Sequence, residues 1–429
     1  MSLQKAQDKA KTATDPVVGG MLAAKTKTTE DSAIRPFKVS IPEEALAEMK
    51  RRVAATRWPE KENVADTSQG VPLTPLMDLA RYWATDYDWR KCEAKLNALP
   101  QFMTTIDGLD IHFIHVKSKE KNALPVIISH GWPGSILEQI KLVGPLTDPT
   151  AFGGKAEDAF DVVIPSIPGY GFSGKPDATG WDHARMARAW IVLMKRLGYD
   201  RFVAQGGDVG GQITDAMAVE APAELVAIHT NFLFALSQEM SNAVQGAGPA
   251  PSDLTDSERS ALGKLGSFFA KNAGYAIEMA TRPQTLYGLS DSPVALAAWL
   301  IDHGDGDDQP AATVLEAMRT PTKGQPAERL TRDDVLDNIS LYWLTNTGVS
   351  SARSYWDNKP PYFSPKNFSI PAAFTVFPGE IYQPSRRWAE GGYKNLAYFH
   401  EAEKGGHFAA WEEPLVFASE MRAAFKSLR

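Results

Sequence analysis

Asp208 lies in a sequence context that could turn its carboxylate into a nucleophile. It is flanked by glycines in the run 206–211, Gly-Gly-Asp-Val-Gly-Gly, after a short apolar stretch and before a helical one. A strand followed by such a run predicts a sharp turn that exposes one side chain above a sheet. The carboxylate could then attack an electrophilic carbon and form an ester. The alternative role is a cap for the following helix.

A histidine and a glutamate near the C-terminus supply the groups needed to hydrolyse such an ester. His407 lies in a glycine-rich run, and we predict that it is the base that activates water. Glu380 follows the apolar run 372–377 and would orient the imidazole and stabilise its cation. The competing role for Glu380 is a surface ion pair with Arg386 or Arg387. Two rival acids lie nearby: Glu401 and Glu403.

The run Ser129-His130-Gly131-Trp132-Pro133-Gly134 ends an apolar stretch upstream of Asp208. A turn there could supply a backbone N–H to an oxyanion hole. We predict donors from Trp132 and from Val209, the residue after the nucleophile. The alternative is an ordinary strand-to-loop turn, with His130 bonded to backbone.

The elements around these residues alternate in the manner of an α/β protein. The sequence predicts strands at 108–116, 124–129, 161–164, 201–204 and 225–229, and a helix at 182–197. A helical block follows, and the strand pattern returns at 372–377 and 396–399 before a final helix at 412–427. A helical insertion late in the sheet is typical of a lid over the crevice at the strands' carboxyl ends.

The N-terminal part has a different character. Residues 1–33 are polar and small, and we expect a flexible arm. Ser40 is predicted to cap a first helix with Pro42 in its first turn, and a second helical stretch covers about 72–98.

The chain resembles the microsomal-type epoxide hydrolases of the α/β-hydrolase fold over about 34–429. The matching motifs are IRPFKVSIPEE, HGWPGS, IPGYGFS, the GGD turn, DSPVALAAW and KGGHFAAWE. The resemblance implies an α/β-hydrolase fold with a mostly parallel central sheet, an inserted helical lid and an N-terminal helical extension that helps to hold the lid. The expected divisions are an arm at 1–33, the extension at 34–100, core at 101–235, the lid at 236–360 and core again at 361–429.

The resemblance also implies two lid tyrosines that hold and protonate an epoxide oxygen, and we match them to Tyr275 and Tyr355. Three other tyrosines are rivals: Tyr170, Tyr287 and Tyr342. We expect the substrate pocket to include His130, Pro133 and Phe172. The family often has Trp after the nucleophile, so Val209 is a departure that predicts a smaller, more apolar pocket wall.

The implied reaction converts a small apolar epoxide and water to a vicinal diol through an ester on Asp208, without cofactor or metal. The nearest alternative is a haloalkane dehalogenase, which shares the Asp nucleophile. That reaction often uses a Trp beside the nucleophile to bind the halide, and Val209 in this position weighs against it. A non-catalytic small-molecule binding protein on a hydrolase scaffold is the alternative of a different class.

Composition narrows the remaining possibilities. The net charge of −7, without a long basic cluster, disfavours nucleic-acid binding. The sequence has no run of 18 apolar residues, so it predicts no membrane-spanning helix. The single cysteine, Cys92, excludes an intramolecular disulfide. We expect a soluble, cytoplasmic protein, and a periplasmic or secreted location stays open if a leader was removed. A homodimer is also an open alternative. Two glycine-containing runs, 169–174 and 304–308, are interpreted as loops rather than dinucleotide or Ca²⁺ sites.

Overall fold

A computed structural model describes residues 32–302, 316–318 and 330–429 of the chain. The predicted arm, apart from residues 32 and 33, and the loop at 304–308 therefore lie outside the described residues. Nine strands in the described part form one sheet, in the order β1-β2-β3-β5-β4-β6-β7-β8-β9. They are β1 Arg35–Phe37, β2 Gln101–Ile106, β3 Leu109–Val116, β4 Leu124–Ser129, β5 Phe160–Pro165, β6 Phe202–Gly206, β7 Leu225–Thr230, β8 Ala372–Val376 and β9 Leu396–Glu401.

The sheet is antiparallel at one edge and parallel across its centre. Strands β1, β2, β3 and β5 pair antiparallel in that order. The neighbours from β5 through β4, β6, β7 and β8 to β9 are parallel. The central strands are apolar on both faces because helices cover both sides of a parallel sheet. The mostly parallel sheet of an α/β-hydrolase is confirmed.

Helices cover the sheet and form the segment between β7 and β8. Those before β7 are α1 Glu43–Ala54, α2 Leu73–Thr85, α3 Trp89–Asn97, α4 Ile136–Gln139, α5 Val143–Thr147, α6 His183–Arg196 and α7 Asp208–Glu220. Those between β7 and β8 are α8 Gln238–Val244, α9 Asp256–Ser267, α10 Gly274–Thr281, α11 Gly288–Asp291, α12 Pro293–Ile301, α13 Arg332–Leu344 and α14 Gly348–Asp357. Those after β8 are α15 Arg386–Gly392, α16 Ala409–Glu412 and α17 Pro414–Ala424.

The N-terminal extension differs from its prediction in three ways. The stretch at 72–98 is two helices, because Asp88 accepts a hydrogen bond from the Arg90 N–H and starts α3. Ser40 does not cap α1, which begins after Pro42 without a side-chain cap. The extension also contributes β1, an edge strand too short to produce an alternating pattern in the sequence.

The extension is tied to the helix α13 by side-chain hydrogen bonds. The Trp83 indole N–H donates to Ser340 Oγ at 3.0 Å, and the Tyr87 hydroxyl donates to Asp337 Oδ1 at 2.8 Å. Trp83 and Tyr87 are each 1% exposed, so these bonds are buried, where their loss would leave unpaired polar groups. The extension therefore fixes the position of α13.

Candidate active site

Asp208 occupies the turn between β6 and α7. Its φ of 50° is in the left-handed region, which is costly for a residue with a side chain and is found where function requires it. A Cβ on Gly210 would lie 2.1 Å from the Ser129 carbonyl oxygen, so only glycine fits there. The close approach of β4 to α7 thus explains one of the glycines that first marked this turn.

The Asp208 carboxylate lies in a pocket of backbone donors. Trp132 donates its N–H to Asp208 Oδ1 at 2.8 Å, and the Val209 N–H also donates to the carboxylate. A Cβ on Gly131 would lie 2.5 Å from Oδ1, which explains the glycine before Trp132. The two predicted oxyanion-hole residues are therefore brought together around the carboxylate of the predicted nucleophile.

The turn that carries Trp132 is held in place from α13. Asn338 donates its side-chain N–H to the Pro133 carbonyl at 2.8 Å. Tyr342 donates its hydroxyl to the Gly134 carbonyl at 2.7 Å. Because α13 is itself fixed by the extension, these bonds link the N-terminal helices to the oxyanion-hole donor.

His407 faces both carboxylates. Its Nδ1 is 2.6 Å from Glu380 Oε1, and its Nε2 is 3.9 Å from Asp208 Oδ2. The first distance is a short charge-assisted hydrogen bond. The second leaves room for a water bonded to Nε2 beside the Asp208 carboxyl carbon. Glu401 and Glu403, the rival acids, are exposed.

Burial and charge set the protonation of this group. Burial lowers the pKa of His407, but Glu380, Asp208 and Glu138 together raise that pKa to about 10. Burial raises the pKa of Asp208, against the opposing effects of the His407 charge and the two backbone donors. The resting pair is therefore an imidazolium beside a carboxylate, and esterification of Asp208 would remove one of the charges that hold the proton on His407.

Glu412 positions the His407 loop and was missed by the sequence analysis. Its carboxylate accepts the Gly406 N–H at 2.7 Å and the Phe408 N–H at 3.1 Å. These N–H groups flank His407, so one buried side chain fixes the backbone on both sides of the base. The only sequence signal was an acidic residue five positions after the histidine, which is too common to be informative.

Tyr275 on α10 and Tyr355 on α14 both reach the site. Tyr275 stacks on Trp132 with ring centroids 4.7 Å apart, and the Tyr355 ring is edge-on to Tyr275 at 6.1 Å. Their hydroxyls hydrogen-bond each other. Burial, with the charge of Asp208, raises the pKa of both tyrosines well above the usual value. Both are therefore neutral donors at physiological pH.

The rival tyrosines lie elsewhere. Tyr170 bonds Ser354 Oγ at 2.9 Å, and Tyr342 donates to the Gly134 carbonyl. Tyr287 is 66% exposed.

A cavity opens in front of Asp208, and about 50 Å³ of it is open to the centres of water-sized molecules. Five phenylalanines form an aromatic wall: Phe232, Phe234, Phe268, Phe269 and Phe363. The polar residues around the rest of the cavity are His183, Gln212, Ser354, Asn358 and Tyr362. Val209, Tyr275 and Tyr355 also line the cavity. Neither the aromatic wall nor the polar residues could be predicted from the sequence, because they come from distant segments.

The three residues predicted to line the pocket are not among those that line this cavity. His130 is buried behind the turn, where Nε2 accepts the Ile167 N–H at 3.2 Å. Pro133 faces α13 through its carbonyl. Phe172 packs on Phe37, with ring centroids 5.2 Å apart. Adjacency to a motif in sequence did not place these side chains in the cavity.

The described residues include no group of three or more His, Cys, Asp or Glu side chains that could hold a metal ion. His112 bonds Ser166 and Gln101, whereas His115 bonds Tyr199, so the two lie on different faces of β3. Within the described ranges, every helix is too short or too polar to cross a bilayer.

Comparison with known proteins agrees with this geometry. Residues 34–139 match the family described as "Epoxide hydrolase N terminus", and residues 125–265 match the "alpha/beta hydrolase fold" family. The chain is 48% identical over 397 residues to a Stigmatella aurantiaca protein named provisionally as an epoxide hydrolase, covering 92% of this chain and 86% of that protein. It is 33% identical to epoxide hydrolase 1 of Oryctolagus cuniculus, covering 91% and 88% of the two chains.

A solved structure shares the whole architecture. The crystal structure of juvenile hormone epoxide hydrolase from the silkworm Bombyx mori superposes with a TM-score of 0.81 at 29% identity, covering 94% of this chain and 96% of that one.

Proposed function

This chain belongs to the microsomal-type epoxide hydrolase family, and we propose that it hydrolyses epoxides through a covalent ester on Asp208. The single observation that carries the mechanism is the placement of the Asp208 carboxylate. Oδ1 accepts the Trp132 N–H, the Val209 N–H also donates to the carboxylate, and Oδ2 faces His407. Each oxygen is thus assigned a different task.

In the first step, Asp208 Oδ2 attacks an epoxide carbon and the ring C–O bond breaks. The departing oxygen takes a proton from the hydroxyl pair of Tyr275 and Tyr355. An alkoxide is a poor leaving group, so this proton lowers the barrier. The aromatic wall and Val209 favour an apolar substituent on the epoxide. The products are a hydroxyalkyl ester and a tyrosinate, which takes the proton of the His407 imidazolium and leaves the neutral base that the second step needs.

In the second step, His407 removes a proton from water, and the resulting hydroxide adds to the ester carbonyl carbon of Asp208. The negative charge develops on Oδ1, which already accepts the Trp132 N–H, and the Val209 N–H donates to the same carboxyl group. Glu380 stabilises the imidazolium that forms. Collapse of the intermediate expels the diol, whose new hydroxyl takes the proton from His407. The second proton of the water is left on the Asp208 carboxyl group and then passes to His407, which restores the imidazolium beside the carboxylate.

The test is a single turnover in ¹⁸O-water with a simple aryl epoxide. Hydroxide adds to the carboxyl carbon, so the heavy oxygen must appear in Asp208 while the first diol stays unlabelled. Fragment ions that separate Asp208 from Asp215, a buried carboxylate on the same helix, provide an internal control. The variant Asp208→Ala should take up no label.

Label in the diol and none in Asp208, despite turnover, would contradict the covalent mechanism. Release of halide from 1-haloalkanes without diol formation from epoxides would instead support a dehalogenase.

A further inference from the structure

A third tyrosine, Tyr362, lines the cavity in front of Asp208, in addition to the two assigned to the epoxide oxygen. It follows α14 in the chain, and its side chain lines the cavity with Asp208, Tyr275 and Tyr355. Burial raises the pKa of Tyr362 to about 12, and the charge of Asp208 adds to this effect. The hydroxyl is therefore a neutral donor within electrostatic reach of the nucleophile.

The Tyr362 hydroxyl is buried and has no hydrogen-bond partner among the described residues. Other polar groups of the cavity wall are engaged. Ser354 Oγ donates to the Ser351 carbonyl at 2.7 Å, and the Asn358 side chain bonds the Ser354 carbonyl and the His183 N–H. A buried donor without a partner is uncommon in native proteins and is costly once a ligand has displaced water.

Aromatic rings line the same cavity as Tyr362. Phe363, the next residue, lies 5.6 Å from Phe234 and 6.0 Å from Phe269 between ring centroids. These rings belong to the aromatic wall, so the cavity combines the unpartnered hydroxyl of Tyr362 with a surface that suits an aryl group. A purely hydrocarbon substrate would leave that donor unpaired, whereas a substrate with an oxygen acceptor would satisfy it.

We propose that Tyr362 selects aryl epoxides that carry an ether or ester oxygen on the aryl ring, by donating a hydrogen bond to that oxygen. The inference rests on the proposed epoxide hydrolase function and deepens it. Tyr275 and Tyr355 serve the oxygen of the epoxide, and Tyr362 serves a second oxygen of the substrate. Tyr362 is thus a specificity-determining residue.

The test compares phenyl glycidyl ether with 2-(2-phenylethyl)oxirane, in which a methylene group replaces the ether oxygen. The measured quantity is the ratio of kcat/KM for the ether to kcat/KM for the hydrocarbon. This ratio should be about 2- to 12-fold higher in the wild type than in Tyr362→Phe, which corresponds to one neutral hydrogen bond. Tyr287→Phe, an exposed tyrosine far from the cavity, is the matched control and should keep the wild-type ratio.

An equal loss of kcat/KM on both substrates would leave the ratio unchanged and overturn the proposal, since Tyr362 would then act on the epoxide oxygen or on the fold. No change on either substrate would also overturn it. If Tyr362→Phe does not fold, Tyr362→Leu must show the same fall in the ratio. Wild-type protein that hydrolyses neither epoxide would overturn the proposed function itself, which separates the two failures.

Discussion

Glu380→Gln should separate the two chemical steps, because Glu380 contacts the base and not the nucleophile. The substitution keeps the shape and a neutral hydrogen bond to His407 Nδ1 but removes a charge 2.6 Å away. A pKa of about 10, against 6.5 for an unperturbed histidine, corresponds to roughly 5 kcal/mol of net imidazolium stabilisation. Glu380 makes the largest contribution that raises this pKa, and removing one partner of a buried charged pair typically costs about 3 to 4 kcal/mol.

A loss of that size predicts ester hydrolysis about 10²- to 10³-fold slower, because the imidazolium forms in that step. Ester formation should change by less than about 10-fold, since Asp208 attacks without proton transfer to His407. The ester should therefore accumulate to nearly one per chain. Rapid quenching followed by intact-protein mass analysis would show an adduct equal to the mass of the epoxide.

The pH profile gives an independent readout of the same change. His407 must be neutral to accept a proton from water, so ester hydrolysis should accelerate as pH rises through the pKa of His407. Glu380 raises that pKa, so its loss should move the acceleration to lower pH. Glu403→Gln, an exposed glutamate near the same loop, is the control and should stay within about two-fold of wild type. Equal slowing of both steps, or no ester in Glu380→Gln, would refute this reasoning.

Three further predictions test the proton donor, the nucleophile turn and the buried histidines. Tyr355→Phe should slow ester formation about 10²-fold without ester accumulation in single turnovers, the reverse of Glu380→Gln; accumulated ester would contradict this role. Gly210→Ala should lower the free energy of unfolding in urea by about 3 kcal/mol, because the added Cβ would lie 2.1 Å from a carbonyl oxygen. The control is Gly263→Ala, which has open space at Cβ and should be neutral or stabilising. Burial lowers the pKa of His112 and of His229 to about 3, so the stability they provide is complete above pH 6.5 and is lost as pH falls from there towards 3; an unchanged urea midpoint across that interval would count against it.

Residues whose chemistry depends on the local backbone could be predicted from the sequence alone. Asp208, Trp132 and Val209 lie in glycine-rich turns at strand ends, where the spacing of glycines reports directly on close backbone approach. Strand alternation and chain order likewise predicted the parallel core and the position of the histidine loop. The assignment of Tyr275 and Tyr355 needed the resemblance to a family, since a tyrosine in a helix has no local signature of catalysis.

Which side chains share the cavity depends on the tertiary structure and could not be predicted from the sequence. Phe232, Phe269 and Phe363 come from segments far apart in sequence, and no local period reports that they meet. His130 and Phe172 lie in motifs beside the site, yet their side chains face the core. Side-chain direction depends on how helices pack over the sheet. The same packing buries the Tyr362 hydroxyl without a hydrogen-bond partner among the described residues.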